Sequence, residues 1–244
     1  MTKHKPHVLV TRPEPKGREL TALFIKHGYK ARFEPLFDYQ AHALATEKPQ
    51  ADIAIFISQA AVEFAQQQSA INRWQVTTFI AVGQATQLAL EKLGISAISP
   101  DQQNSEGMLA LPALSQVDNK SIIIIRGDEG RELLFEQLVA RGAKVTYLQS
   151  YQRLWRTFPS QMAQQWHQEG INFIICTSVA MLEKMAKLLV TTDNYWQRSC
   201  IWVVASARIY AKAKQLELTH IILAKGASNQ DLLTACQNGS NYDR

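Results

Sequence analysis

The chain states one structural unit twice, and the two copies lie too far apart to be neighbours in a repeat array. Residues 7–29 begin His-Val-Leu-Val-Thr-Arg-Pro-Glu-Pro-Lys-Gly-Arg-Glu-Leu and continue as an apolar helical stretch ending at His27-Gly28. Residues 121–143 begin Ser-Ile-Ile-Ile-Ile-Arg-Gly-Asp-Glu-Gly-Arg-Glu-Leu and end the same way at Arg141-Gly142. In each copy a β-branched run stops at an arginine, Arg12 or Arg126, and a turn follows. Gly-Arg-Glu-Leu (Gly17 to Leu20, Gly130 to Leu133) then opens a helix that closes on glycine. Copies more than a hundred residues apart exclude a solenoid, whose period is about 20–50 residues. They predict two similar domains facing each other across a cleft.

A second set of correspondences fixes how the domains share the chain. Ile53 to Val62 resembles Phe173 to Leu182, Thr78 to Leu90 resembles Cys200 to Ala213, and Asn104 to Leu109 resembles Ser228 to Leu233. In the middle of the chain these units precede the Gly-Arg-Glu-Leu unit; around the ends they follow it. The simplest account inserts one domain into the other. The outer domain is expected at 1–35 plus 154–244 and the inserted one at 38–149, with connecting strands at 34–39 and 149–153. Each connection carries a Tyr-Gln pair, Tyr39-Gln40 and Tyr151-Gln152.

Candidate strands fall at 7–11, 30–35, 53–57, 78–82, 95–98, 121–125, 144–149, 171–176, 200–204 and 219–223, with helical patterns between them. Such alternation predicts an α/β protein of two similar flavodoxin-like parallel-sheet domains, one inserted into the other and joined by two crossing strands. A single eight-unit barrel would have no internal halves of this kind.

Several function classes are disfavoured. The longest apolar runs, such as Ile122 to Ile125, are far below the roughly 18 residues of a spanning helix. The basic start at residues 1–7 is followed only by Val8-Leu9-Val10 before Thr11-Arg12-Pro13, a strand rather than a secretory core. Cys176, Cys200 and Cys236 lack metal-type spacing and fit a reducing cytoplasm, so a cytoplasmic protein is expected. The net charge of +5 is modest and reads either as an ordinary basic soluble protein or as a preference for anionic partners, while the scattered Lys and Arg disfavour nucleic acid. Glycine-rich phosphate loops, dinucleotide fingerprints, zinc motifs and nucleophile elbows do not occur. The six histidines read as surface residues and the five tryptophans as packing anchors.

In open parallel sheets, ligands bind beyond the carboxyl ends of the strands. Here those ends carry Thr11-Arg12-Pro13, Ser58-Gln59, Gly83-Gln84, Arg126-Gly127, Thr177-Ser178, Ala205-Ser206 and Ala227-Ser228-Asn229. Each hydroxyl has a plain structural role as a helix N-cap worth about 1 kcal/mol. Together with arginines and free backbone N–H groups they also form a rim suited to several carboxylates or phosphates. For Arg12 and Arg126 the alternative to ligand binding is pairing with a nearby acid such as Glu14 or Asp128. Pro13 and Pro15 stiffen the first turn ahead of a helix.

These residues resemble those of the uroporphyrinogen-III synthase family over nearly the whole chain. Val8 to Pro13 with Gly17 and Glu19-Leu20 is similar to the family's opening, and Phe56 to Val62 to its Phe-Thr-Ser-x-x-Ala-Val element. Ala81 to Thr86 resembles Ile-Gly-x-x-Thr, Ser105 to Leu109 resembles Ser-Glu-Gly-Leu-Leu, and Arg126-Gly127 to Leu133 resembles Arg-Gly-x-x-Gly-Arg-x-x-Leu. Tyr151 matches a tyrosine at the second crossing strand, and Thr177-Ser178 a second Thr-Ser turn. The chain departs at Ile57, where the family has Thr, and at Ala205 to Arg208, where many members have Gly-x-x-Thr.

The resemblance implies a cofactor-free lyase acting on hydroxymethylbilane, a linear tetrapyrrole with eight carboxylates, received from hydroxymethylbilane synthase. Loss of the ring A hydroxyl gives an azafulvene. Ring D attacks through its substituted α-carbon to form a spiro-pyrrolenine, and fragmentation and reclosure invert ring D. The implied substrate-binding residues are Thr11, Arg12, Pro13, Ser58, Gln59, Gly83, Thr86, Ser105, Arg126, Gly127, Thr177, Ser178 and Ser206, with no metal ligand among them. Tyr151 is the implied acid for the departing hydroxyl; the alternative is that it simply packs the hinge. A monomer without nucleic-acid or membrane partners is expected. The competing readings are a non-catalytic two-domain binding protein or sensor for a polycarboxylate, and a nucleotide- or sugar-phosphate enzyme on the same fold.

Overall fold

Strands and helices alternate along much of the described chain. A computed structural model describes residues 6–44, 49–128, 132–190 and 194–239. The first part runs β1 (His7–Val10), α1 (Lys16–Lys26), β2 (Lys30–Phe33), β3 (Phe37–Ala41), β4 (Gln50–Phe56), α2 (Gln59–Gln68), β5 (Gln75–Ala81), α3 (Gln84–Glu91) and α4 (Ser105–Leu109). There follow β6 (Ser121–Gly127), α5 (Leu133–Ala140), β7 (Lys144–Trp155), α6 (Met162–Gln168) and β8 (Phe173–Cys176). The chain closes with α7 (Val179–Leu189), α8 (Asn194–Arg198), β9 (Ile201–Val204), α9 (Ala207–Gln215), β10 (His220–Leu223) and α10 (Asn229–Gly239).

The strands form two sheets, ordered β10-β9-β8-β1-β2 and β3-β7-β6-β4-β5. Numbered within its own unit, the first has the flavodoxin-like order 2-1-3-4-5. Reading the second as β5-β4-β6-β7 places β4, β5, β6 and β7 where β8, β9, β1 and β2 stand in the first, each parallel to its neighbour. Four strands of each sheet therefore share one spatial order reached by two chain orders. By compactness the chain divides into 1–38 with 155–244, and 39–154.

Central strands are buried on both faces, which is why they read as unbroken apolar runs. In β6, Ile123 and Ile125 face a core with Phe56, Ala61, Val62 and Trp74, while Ile122 and Ile124 face one with Met108, Leu114, Leu134 and Leu138. In the other unit Val8, Leu9 and Val10 are fully buried, as are Trp166, Trp196 and Trp202. Each such side chain stabilises the fold by roughly 1.5–3 kcal/mol. Helix α7 presents Met181, Leu182, Met185, Ala186 and Leu189 inward, the spacing of one helical stripe. Gly28 and Gly142 both adopt positive φ just past α1 and α5, so the glycine stops in the two copies have one cause.

One expectation needs correction. Residues 95–98 form no strand: Ile98 alone bridges Ile80, with Ala81 N–H to Ile98 O at 2.8 Å and Ile98 N–H to Phe79 O at 2.9 Å. The N–H of Ile95 instead caps α3 on Leu90 O at 3.1 Å, and Pro100 has no N–H to extend the ladder. The expected connecting strand at 149–153 lies within β7, which runs unbroken from Lys144 to Trp155. The edge strand β3 is the one departure from parallel pairing among the described strands. Arg156 N–H bonds Leu36 O at 2.8 Å and His42 N–H bonds Ser150 O at 3.0 Å, so partner numbers fall as β3 advances and β3 is an antiparallel edge. The Tyr-Gln pairs meet there: Gln152 donates to Gln40 at 2.7 Å, and the rings of Tyr39 and Tyr151 pack edge to face at 5.0 Å.

The repeat also diverges locally. Gly-Arg-Glu-Leu lies within α1 in the first copy, whereas α5 starts only at Leu133. Gly130 and the rest of 129–131 lie outside the described residues, as do residues 1–5, which include His4. Among the described residues no helix is long and apolar enough to cross a membrane, and no group of three His, Cys, Asp or Glu side chains is placed to hold a metal.

Residues 37–155 expressed alone contain all the strands of the second sheet. They are expected to unfold in urea with one cooperative transition, whereas 1–120, which lacks β6 and β7, is expected to show none.

Candidate functional site

The site in unit 39–154 begins with an irregularity in β7. Arg126 pairs with Gln149 but Gly127 pairs with Tyr151, so Ser150 is an extra residue, a β-bulge. Side chains of a regular strand alternate faces, and Leu148 already lies in the core with Ile123 and Ile125. Without the bulge Tyr151 would face the other way. With it, Tyr151 joins Leu148 on the side of α2, 3% exposed. The bulge is secured by Ser150, whose carbonyl accepts from His42 N–H and from Gln68 Nε2, each at 3.0 Å, and whose hydroxyl donates to Ala61 O at 3.3 Å.

Tyr151 is clamped on its faces and engaged at its tip. Tyr39 and Phe64 pack against the ring at 5.0 and 5.5 Å between centroids. Its hydroxyl lies 3.2 Å from Ser58 Oγ, which accepts from Ala61 N–H at 3.0 Å as the N-cap of α2. Gly127 completes the pocket, because a Cβ there would come within 2.5 Å of the Tyr151 ring. Packing and a hydrogen-bonded hydroxyl are thus both present. Ser58, Gly127 and Tyr151 are brought together, with Gln59 next to Ser58 as the first residue of α2. An open groove of about 530 Å³ runs from Gln59 between α2 and α3, past Val62, Ala85, Leu88 and Leu93.

Arg126 goes to the opposite face, in step with Ile122 and Ile124. It is 4% exposed, and its guanidinium lies 4.4 Å over the ring of Tyr147 while Nη1 donates to Glu132 Oε1 at 2.9 Å. The expected partner Asp128 is not used; it accepts instead from the N–H of Arg153 at 3.3 Å. Glu132 also receives the Tyr147 hydroxyl at 2.5 Å. That bond, then Arg126, holds the Glu132 carboxyl below the usual carboxylate range. Burial, then Glu132, pushes the Tyr147 phenol up to about 12. At neutral pH the pair is a carboxylate and an intact phenol donor. Of the remaining candidates here, Gly83 precedes α3, Thr86 is buried within α3, and Ser105 opens α4 after its cap Asn104.

In unit 1–38 with 155–244, the candidates are largely tied into the fold. Thr11 donates to Ile175 O at 2.6 Å, joining the ends of β1 and β8. Arg12 is 8% exposed and donates to, among others, Ala227 O at 3.0 Å and Asn229 Oδ1 at 2.9 Å. Glu14, its expected alternative partner, pairs with Arg18. Pro13 accepts from Gly17 N–H at 2.9 Å as α1 begins. Ser178 and Ser206 are N-caps, accepting from Met181 N–H at 3.2 Å and Ile209 N–H at 3.4 Å, while Thr177 Oγ1 lies 3.6 Å from Met181 Sδ.

Glu132, Tyr147 and Ser150 escaped the sequence reading. Only Glu132 carried a signal, as the glutamate of Gly-Arg-Glu-Leu; its counterpart Glu19 accepts from Asn229 at 3.5 Å, and Asn229 in turn holds Arg12.

Two doubly wound α/β units with polar groups at their strand ends define the class: a two-domain α/β protein whose strand-end donors suit a small anionic ligand. The family model described as Uroporphyrinogen-III synthase HemD matches residues 18–234. The uroporphyrinogen-III synthase of Salmonella typhimurium (strain LT2) is 34% identical over 247 residues, covering 94% of this chain and 99% of that one. The Escherichia coli K12 enzyme is 33% identical over 244 residues, with coverage of 94% and 99%. The fold is shared with a uroporphyrinogen III synthase variant from Thermus thermophilus, at TM-score 0.68 and 11% identity over 98% of this chain and 100% of that one. It is shared too with the Helicobacter pylori 26695 synthetase, at TM-score 0.63 and 15% identity over 96% and 99%. The chain belongs to the uroporphyrinogen-III synthase HemD family.

Gly127→Ala should cost about 1–3 kcal/mol, because the new methyl meets an immobilised ring. Urea titration checks this, and the cost should shrink in a Tyr151→Leu background, where the ring is gone.

Proposed function

We propose that this chain cyclises hydroxymethylbilane to uroporphyrinogen III, inverting ring D through a spiro intermediate with loss of water. One observation carries the reading: relatives about one-third identical over 94% of the chain are synthases of this name. Family membership favours the enzyme over the non-catalytic polycarboxylate-binding protein or sensor. The net reaction removes water without a change of oxidation state, so no redox cofactor enters. The bilane is handed on by hydroxymethylbilane synthase in the cytoplasm, and the enzyme acts as a monomer.

The chemical demand is mostly conformational. The bilane can close directly to the symmetric isomer, so the protein must hold it where the spiro route is nearer. Carboxylates offer handles for this, and the strand-end groups supply donors: Arg126 and, at the first residues of helices, backbone N–H groups beside Ser58, Gly83, Ser178 and Ser206. Arg12 supports the β10–α10 turn and so acts by positioning. Thr11, whose hydroxyl donates to Ile175 O at 2.6 Å, acts by holding the ends of β1 and β8 together.

Tyr151 is the proposed acid for the leaving hydroxyl. For its proton to point at substrate, the Tyr151 oxygen must accept rather than donate toward Ser58. Ser58 can satisfy this by donating its own proton along the 3.2 Å contact while its lone pair caps Ala61 N–H. The pair is then a short relay oriented by the helix cap. Such assistance is worth about 10²-fold.

Separation of the porphyrin isomers formed from enzymatically generated hydroxymethylbilane tests the reaction; only the symmetric isomer would refute it. Tyr151→Phe keeps the ring and should lower kcat about 10- to 100-fold with the product still inverted. Full turnover would assign Tyr151 to packing alone. Raising salt should increase KM with little change in kcat, since it screens attraction between a polyanion and a chain of net charge +5.

A further inference from the structure

Arg126 has given up its hydration for few partners. Its side chain is 5% exposed, its ionic partner Glu132 is 51% exposed, and Nε is buried without a hydrogen bond. A carboxylate sits between two donors, Arg126 Nη1 at 2.9 Å and the Tyr147 hydroxyl at 2.5 Å, with the Tyr147 ring beneath the guanidinium. That arrangement is a carboxylate-binding site filled by the chain's own carboxylate.

We infer that Arg126 and Tyr147 form a subsite for one substrate carboxylate, and that Glu132 is its internal occupant, displaced when substrate arrives. The inference rests on the proposed polycarboxylate substrate and names the side chains that would meet one of its arms. Glu132 keeps the buried guanidinium paired while the site is empty, avoiding an isolated buried charge. Because its side chain is half exposed, it returns to water at little cost on release. An incoming carboxylate that takes the place of Glu132 meets the two donors Glu132 now uses, Arg126 Nη1 and the Tyr147 hydroxyl. Glu132 therefore tunes affinity by competition, and its removal should tighten binding.

The test compares the full-length wild type, Glu132→Gln, Arg126→Gln and the double variant at fixed salt. Binding of mellitate, a benzene hexacarboxylate, is followed by calorimetry, and KM is measured with enzymatically generated hydroxymethylbilane. Glu132→Gln should bind mellitate about three- to tenfold more tightly and lower KM by a similar factor. Both gains should vanish in the double variant, and Tyr147→Phe should weaken mellitate binding. Unchanged or weaker mellitate binding by Glu132→Gln, or a gain that survives loss of Arg126, overturns the inference. A wild type that produces no type III isomer sinks the proposed reaction instead, while the mellitate comparison still decides the subsite.

Discussion

One inserted residue in β7 decides what unit 39–154 can present at its strand ends. With Ser150 bulged, the strand carries Tyr147 on one face of the sheet and both Leu148 and Tyr151 on the other. Parallel pairing with β6 then brings Arg126 over Tyr147 and Gly127 against Tyr151. Two polar assemblies are thereby separated by the sheet itself: a hydroxyl pair, Tyr151 with Ser58, and a charged set, Arg126 with Glu132 and Tyr147. Each is fed by a neighbouring helix start, Ser58 from α2 and Glu132 from α5.

The bulge persists because its backbone groups are used. The Ser150 carbonyl accepts twice, from His42 N–H on β3 and from Gln68 on α2, so the extra residue leaves no unsatisfied acceptor in a buried position. The antiparallel edge strand β3 is part of the same device, since it supplies His42 and the Tyr39 ring that closes over Tyr151. A reader of the sequence could see that Tyr39-Gln40 and Tyr151-Gln152 belong together. That they pair across one edge, glutamine to glutamine and tyrosine to tyrosine, follows only from the strand register.

Much of the fold was legible because parallel strands buried on both faces leave a plain record: Ile122 to Ile125 can hardly be anything else. The internal correspondences pair β6 with β1, β4 with β8 and β5 with β9, strands that hold matching places in the two sheets. What stayed hidden depends on single hydrogen bonds. Residues 95–98 have strand composition, yet Ile95 spends its N–H on α3 and Pro100 has none to spend. The site was legible by position and less so by role. Serines at strand ends were expected either to cap or to bind, and Ser58 shows that capping leaves its own proton free for a second task.

The two arginines make the same point about charge. Arg12 and Arg126 hold equivalent places, follow equivalent strands and are comparably buried, so sequence alone gives them one role. Their surroundings differ. Arg12 reaches Ala227 O and Asn229 Oδ1 of the β10–α10 turn, contacts that suit holding that turn in place. Arg126 is neutralised by a glutamate that is itself half in water. An ion pair with one buried and one exposed member is asymmetric in cost: losing the arginine strands nothing, because Glu132 is already hydrated, whereas losing the glutamate leaves a buried cation. Only an anion can fill that place without leaving the guanidinium unpaired. On the proposed reading of this site, the buried arginine supplies the pull on a carboxylate and the exposed glutamate sets its strength.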